Sequence, residues 1–152
     1  MKSRAHAIFG SIAMVCIFCF WVSTLISEIF LTRESIIAVK HAILQTMWVL
    51  IPAMVATGAS GFALGKGRSG RLLDSKKKRM PFIALNGLLI LVPSAFYLYT
   101  KAAAGEFDIS FYAVQAVELL AGATNLWLMS QNMRDGLKLA GRLRPRKNGS
   151  AN

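Results

Sequence analysis

The chain has 152 residues, 55% of them apolar and 16% charged, with a mean hydropathy of +0.48. Its net charge of +11 comes from 18 Lys and Arg against 7 Asp and Glu, clustered between apolar windows. That pattern excludes an ordinary soluble core, and it sets the basic residues where lipid headgroups rather than nucleic acid would meet them.

Four apolar windows are each long enough, at about 20 residues, to cross a hydrocarbon layer of about 30 Å. The expected fold is therefore all-α, an integral membrane four-helix bundle forming one domain over 1–152. The first window, 7–31, holds Cys16 and Cys19 and is interrupted only by Glu28. It is too long for the apolar region of a signal peptide, and 23–27 is a poor cleavage context, so a retained membrane helix is expected.

The second helix is expected over 36–65. Pro52 should kink it by removing a hydrogen bond to the Trp48 carbonyl. Ala53, Thr57, Gly61 and Gly65 fall four apart and include a GxxxG, a stripe of small residues on which another backbone can pack. The segment 66–79 carries seven basic residues and one acid among glycine and serine, which reads as a flexible loop. A third helix follows over 81–100, with Pro81 in its first turn, Asn86 in its first half and a kink at Pro93. After the short turn at 101–106, Asp108 is placed to cap a fourth helix over 107–132. A basic tail, 133–152, completes the chain, with six bases and one acid in 134–147.

Fifteen of the 18 basic residues lie in the N-terminus, the 66–79 segment and the tail. The excess of cytoplasmic Lys and Arg in membrane proteins then predicts an N-in/C-in topology, in a bacterial inner membrane. The partners expected are the bilayer itself, with anionic lipids at 66–79 and 134–147, and either a membrane-protein partner or a second copy.

The fourth window differs from the others. Gln115, Glu118, Asn125 and Asn132 are spaced three, seven and seven apart, one stripe on a helix. At 1.5 Å per residue, Glu118 lies roughly 15 Å beyond Asp108, near mid-bilayer and level with Pro52 and Pro93. Burial favours a neutral carboxyl, so Glu118 is expected to donate to the Trp48 or Leu89 carbonyl freed by a proline. Asn125 is about 10 Å further along, at the depth Asn86 reaches from the other side, so these two amides are expected to pair. At the opposite face, Glu28 is expected near Lys40, His41 and Gln45, as an ion pair or an outer vestibule.

Several chemistries lose support. His6 and His41 fall at opposite faces, so they cannot both ligate one haem. CIFC at 16–19 resembles a redox CxxC, but an apolar mid-helix setting raises thiol pKa values. Cys16, Cys19 and Glu118 lack further ligands for a metal, and no phosphate loop, nucleophile elbow or zinc motif is present. No catalytic residue and no cofactor are expected.

In helix number and in carrying a membrane-embedded glutamate, the chain resembles the small multidrug-resistance exporters. Their glutamate is in the first helix, whereas Glu118 is in the fourth, and the strong basic bias differs from their dual-topology members. The function expected from the residues is a transporter-like or channel-like one, with a proton, cation or small polar solute handled at Glu118. The alternatives are an accessory subunit that docks a larger complex through its GxxxG face, and, more remotely, a quinone- or haem-associated redox subunit.

Overall fold

The computed structural model describes residues 2–65 and 70–139, nearly all of them helical. The elements are α1 (Lys2–Phe30), α2 (Arg33–Gly65), α3 (Arg71–Asn86), a π-helical turn (Gly87–Leu91), α4 (Val92–Ala103) and α5 (Ile109–Leu139). As α3, the π turn and α4 are continuous, the described residues make four long helices in up-down-up-down order. One end of the bundle carries the turns at 31–32 and 104–108 and is called the hairpin end; the other is the terminal end.

Local chemistry fixes where the helices begin and stop. Thr32 caps α2, its hydroxyl accepting from the Ser35 N–H at 3.4 Å, so the helix starts at Arg33, earlier than expected. Gly105, at φ 73°, closes α4 in the left-handed region that glycine tolerates, and the Glu106 N–H returns to the Lys101 carbonyl at 2.9 Å. Asp108 caps α5 as expected, accepting from the Phe111 N–H at 2.9 Å.

The Asp108 carboxyl is held well below the usual carboxylate range by the Lys101 ammonium, then by the Ser110 hydroxyl and the Phe111 N–H. A carboxyl depressed in the folded state stabilises above its unfolded pKa, and that gain disappears as pH falls through its folded value. Wild type should thus exceed Asp108→Asn in thermal stability at neutral pH. The margin should shrink as pH drops below about 4, the ordinary range of Asp, and a melting series over pH checks it.

The basic segments differ most from the sequence reading. The 66–79 segment is not a loop throughout, for α3 begins at Arg71 and residues 66–69 lie outside the described residues. Arg, Leu and Lys are strong helix formers, and the Gly70 N–H finds the Asp74 carboxylate at 3.3 Å, which together outweigh the glycine and serine signal. Likewise α5 runs past 132 to Leu139, taking in the start of the basic tail, whose 140–152 part lies outside the described residues.

Pro52 is contained within α2. Around Pro93 the chain responds with the π turn, in which the Val92 N–H reaches the Gly87 carbonyl five residues back. The wider turn re-aims the helix. Below it, α3 meets α5 through Asn86; above it, Ala95 packs with Ile43 and Met47 of α2, and Leu98 and Ala102 with Ile36 and Phe111.

The helices close a ring in which α1 touches α2 and α5, and the α3–α4 helix touches α2 and α5. Among the described residues no Cα of α2 lies within 8 Å of one of α5, so these two parallel helices sit on a diagonal. Outside, the ring is apolar: Trp48, Phe62, Phe30, Leu120 and Ile109 are exposed.

Three helical stretches, Arg4–Phe30, Arg33–Leu64 and Lys78–Ala103, are long and apolar enough to span a membrane. The fourth helix, α5, does not reach that standard, because its polar stripe lowers the hydropathy of the window predicted over 107–132.

The small-residue stripe of α2 is used inside the chain. Ala53 packs with Ala13 and Ile17 of α1, and a Cβ on Gly10 would stand 3.5 Å from the Thr57 methyl. A Cβ on Gly61 would collide with the Met80 methyl and lie 3.0 Å from His6 Cε1. Met80 ends in a flexible thioether that can turn aside, so Gly61→Ala should cost less than about 1 kcal/mol in a denaturation assay, whereas Gly61→Leu should separate α1 from α2. The stripe therefore covers neighbours in the same bundle and is not a free docking face.

Candidate functional site

The polar stripe of α5 is divided by the structure into three layers, each with its own partner. The layer nearest the hairpin end contains the charges. Lys40 of α2 is 1% exposed, although it was expected in an outer vestibule. Its helix begins at Arg33, so it lies seven residues in, about 10 Å deep, and its stem is long enough to cross the diagonal.

Lys40 Nζ donates to Glu118 Oε2 at 3.0 Å and to Gln115 Oε1. Gln115 Nε2 also donates to Glu118 Oε2, at 2.9 Å, closing a triangle. Glu118 is thus bonded to a cation and an amide, rather than to a proline-freed carbonyl as expected. Side-chain exposure is only 13% at Glu118, and Gln115 is buried, so this ion pair is well shielded from its surroundings.

Glu28 of α1 belongs to the same layer. Lys40 and Glu118 are its charged neighbours, and its Oε1 is buried with no hydrogen-bond partner among the described residues. Ser27 and Thr24, on the same helix, are buried as well and bonded to each other through the Ser27 hydroxyl and the Thr24 carbonyl at 3.0 Å. His41 and Gln45, the other two vestibule candidates, are exposed away from the layer, and the His41 ring stacks on Tyr99 at 5.5 Å.

A small cavity of about 40 Å³ adjoins Glu118, walled by Trp21, Thr24, Leu91 and Gly122 among others. A water needs about 10–15 Å³ of such volume, so water fits, while drug-sized ligands use pockets of about 300–1,000 Å³. Trp21 is fixed there by its indole N–H donating to the Leu119 carbonyl at 2.9 Å.

The middle layer is the amide pair expected from depth. Asn86 Nδ2 donates to Asn125 Oδ1 at 2.8 Å and to the Ala121 carbonyl at 2.9 Å. In the third layer Asn132 does not join an interior site. It lies beside Arg79, which pairs with Asp135 at 2.7 Å near the terminal end. The two histidines are held apart, for His6 Nδ1 lies 3.1 Å from both the Thr57 carbonyl and the Ser60 hydroxyl at that end.

Sequence reasoning missed the joining of Lys40 to Glu118, although a signal existed. Lys40 is the one basic residue well inside an apolar window, as Glu118 is the one acid near the centre of another. Two isolated opposite charges in apolar helices are each other's most economical partner. No known protein family, curated protein or solved structure matches the chain.

Proposed function

We propose that the protein crosses the bacterial inner membrane four times, termini and 66–79 segment in the cytoplasm, and moves a proton or small cation at the Lys40–Gln115–Glu118 layer. The observation that carries this reading is the fully buried Lys40 reaching across the bundle to Glu118. A buried ion pair is a poor source of stability, since well-packed apolar residues of similar volume serve as well or better. Ionisable residues within membrane helices instead mark ion pathways and proton relays. The Lys40 ammonium acts as a tethered cation, and a proton or cation gains Glu118 only by displacing it. The small cavity beside Glu118 suits water and its protons better than a bulky solute.

A fourth crossing by α5 is supported by its outward side chains, Ile109, Val117, Leu120 and Trp127, which are apolar while Gln115, Glu118 and Asn125 point inward. The basic segments at the terminal end would then meet anionic lipid. With Cys16 and Cys19 replaced by alanine, a cysteine at Glu106 should react with an impermeant thiol reagent from outside intact cells, and one at Lys78 only after lysis. The reverse pattern would invert the topology.

The activity is tested in proteoliposomes holding a pH-sensitive dye under an imposed potential. Wild type should carry protons or cations, and Glu118→Gln should abolish the flux while the purified protein keeps its helical content. Absence of flux in wild type, or equal flux in the variant, would refute the reading. An accessory-subunit role has one supporting observation, an apolar groove of about 340 Å³ between α1 and α2 lined by Cys19, Ser23, Ala42 and Thr46. It predicts a membrane-protein partner retained in mild detergent and released by Ala42→Leu.

A further inference from the structure

The charge layer contains two carboxylates and one ammonium. If all three were ionised it would carry a net charge of −1. Lys40 is committed to Glu118 and Gln115, and Glu118 Oε2 accepts from both. Glu28 is left with a buried oxygen and no donor. Glu28 is half-buried, and an ionised carboxylate with one oxygen buried away from any hydrogen bond carries a desolvation cost that adding a proton lowers.

The helices packed against Glu28 are α2 and α5, and their charged groups facing it are Lys40 and Glu118. Neither makes a hydrogen bond to Glu28 Oε1, for the two bonds of Lys40 Nζ run to Glu118 and Gln115 and Glu118 Oε2 only accepts. Two residues before the end of α1, Glu28 is also the member of the layer closest to the hairpin end, about 3 Å of helix from Phe30.

We propose that Glu28 is the group of this layer that holds a proton at rest, taking one from water at the hairpin end while Lys40 and Glu118 stay paired and before any displacement at Glu118. The proton bonds to the Glu28 carboxylate, and the layer goes from −1 to neutral; release to the same side reverses both. The inference deepens the reading of this layer as the working site, and it names the proton, rather than a metal cation, as what the layer takes up.

The test is infrared spectroscopy of the full chain in lipid at pH 7, reading the C=O stretch of a protonated carboxyl, alongside the flux assay. Wild type should show one such band, lost in Glu28→Gln. Glu28→Asp keeps a titratable group and should shift the band rather than remove it, which covers the case of a poorly folded glutamine variant. A wild-type spectrum without the band would overturn the inference, as would a band lost in Glu118→Gln but kept in Glu28→Gln. These outcomes are separable from failure of the transport reading. Flux that depends on Glu118 without a band sinks only the role of Glu28, and the band without flux sinks only transport.

Discussion

Lys40→Met should destabilise the bundle by about 3–5 kcal/mol, the cost of leaving one member of a buried ion pair without its counter-charge. Methionine preserves most of the apolar stem, so the loss reports the ammonium rather than a cavity. Glu118 is then an acid in an apolar bundle with only the Gln115 amide for company. Adding Glu118→Leu to Lys40→Met should recover part of the loss, because the uncompensated Glu118 charge is gone while Gln115 and Glu28 stay polar in the layer. The cycle is measured by denaturant titration in mixed micelles, following Trp21, whose indole is bonded to the helix that carries Glu118. If the double variant were as unstable as the sum of the singles, Lys40 and Glu118 would not be partners. Flux must fail in both the single and the double variant, so stability and activity part company in the double, as they do when a charge is kept for function.

The same pair marks the limit of what was legible beforehand. Apolar windows of about 20 residues give helices nearly unaided, and the spacing along α5 phased Gln115, Glu118 and Asn125 to one face. Depth arithmetic then found Asn86 opposite Asn125, because a rise of about 1.5 Å per residue is reliable within a helix. What a one-dimensional pattern does not contain is which helices lie diagonally. A helix starting at 36 leaves Lys40 near the outer face, whereas the start at Arg33 carries it three residues deeper, from where its stem reaches across the diagonal to Glu118. Glu28 feels the charge of Lys40 but does not form the expected ion pair with it, Lys40 being paired with Glu118, while His41, one residue on and about 100° around the helix, faces Tyr99. The start of α3 was misjudged for a different reason: glycine and serine near 67–75 were weighed above the helix-forming Arg, Leu and Lys between them.

Asn86→Leu should cost about 1–2 kcal/mol, near the upper range for hydrogen bonds between membrane helices. Asn86 donates twice, to Asn125 and to the Ala121 carbonyl, so its loss strips the Asn125 side-chain oxygen, on a fully buried residue, of the Asn86 donor. Asn125→Leu should be milder, since Asn86 keeps Ala121 and the Asn125 amide has only a long 3.4 Å contact with the Ile83 carbonyl. The order of the two, measured in the same unfolding assay, checks the direction of donation. The pair sits immediately before the π turn, where α3 and α4 change the faces they present. Seven residues separate Asn125 from Glu118, about 10 Å along α5, far enough for independent sites to add. Asn86→Leu combined with Lys40→Met should therefore lose the sum of the two. A smaller or larger loss would mean that the amide layer and the charge layer move together, with the π turn as the element through which they do so.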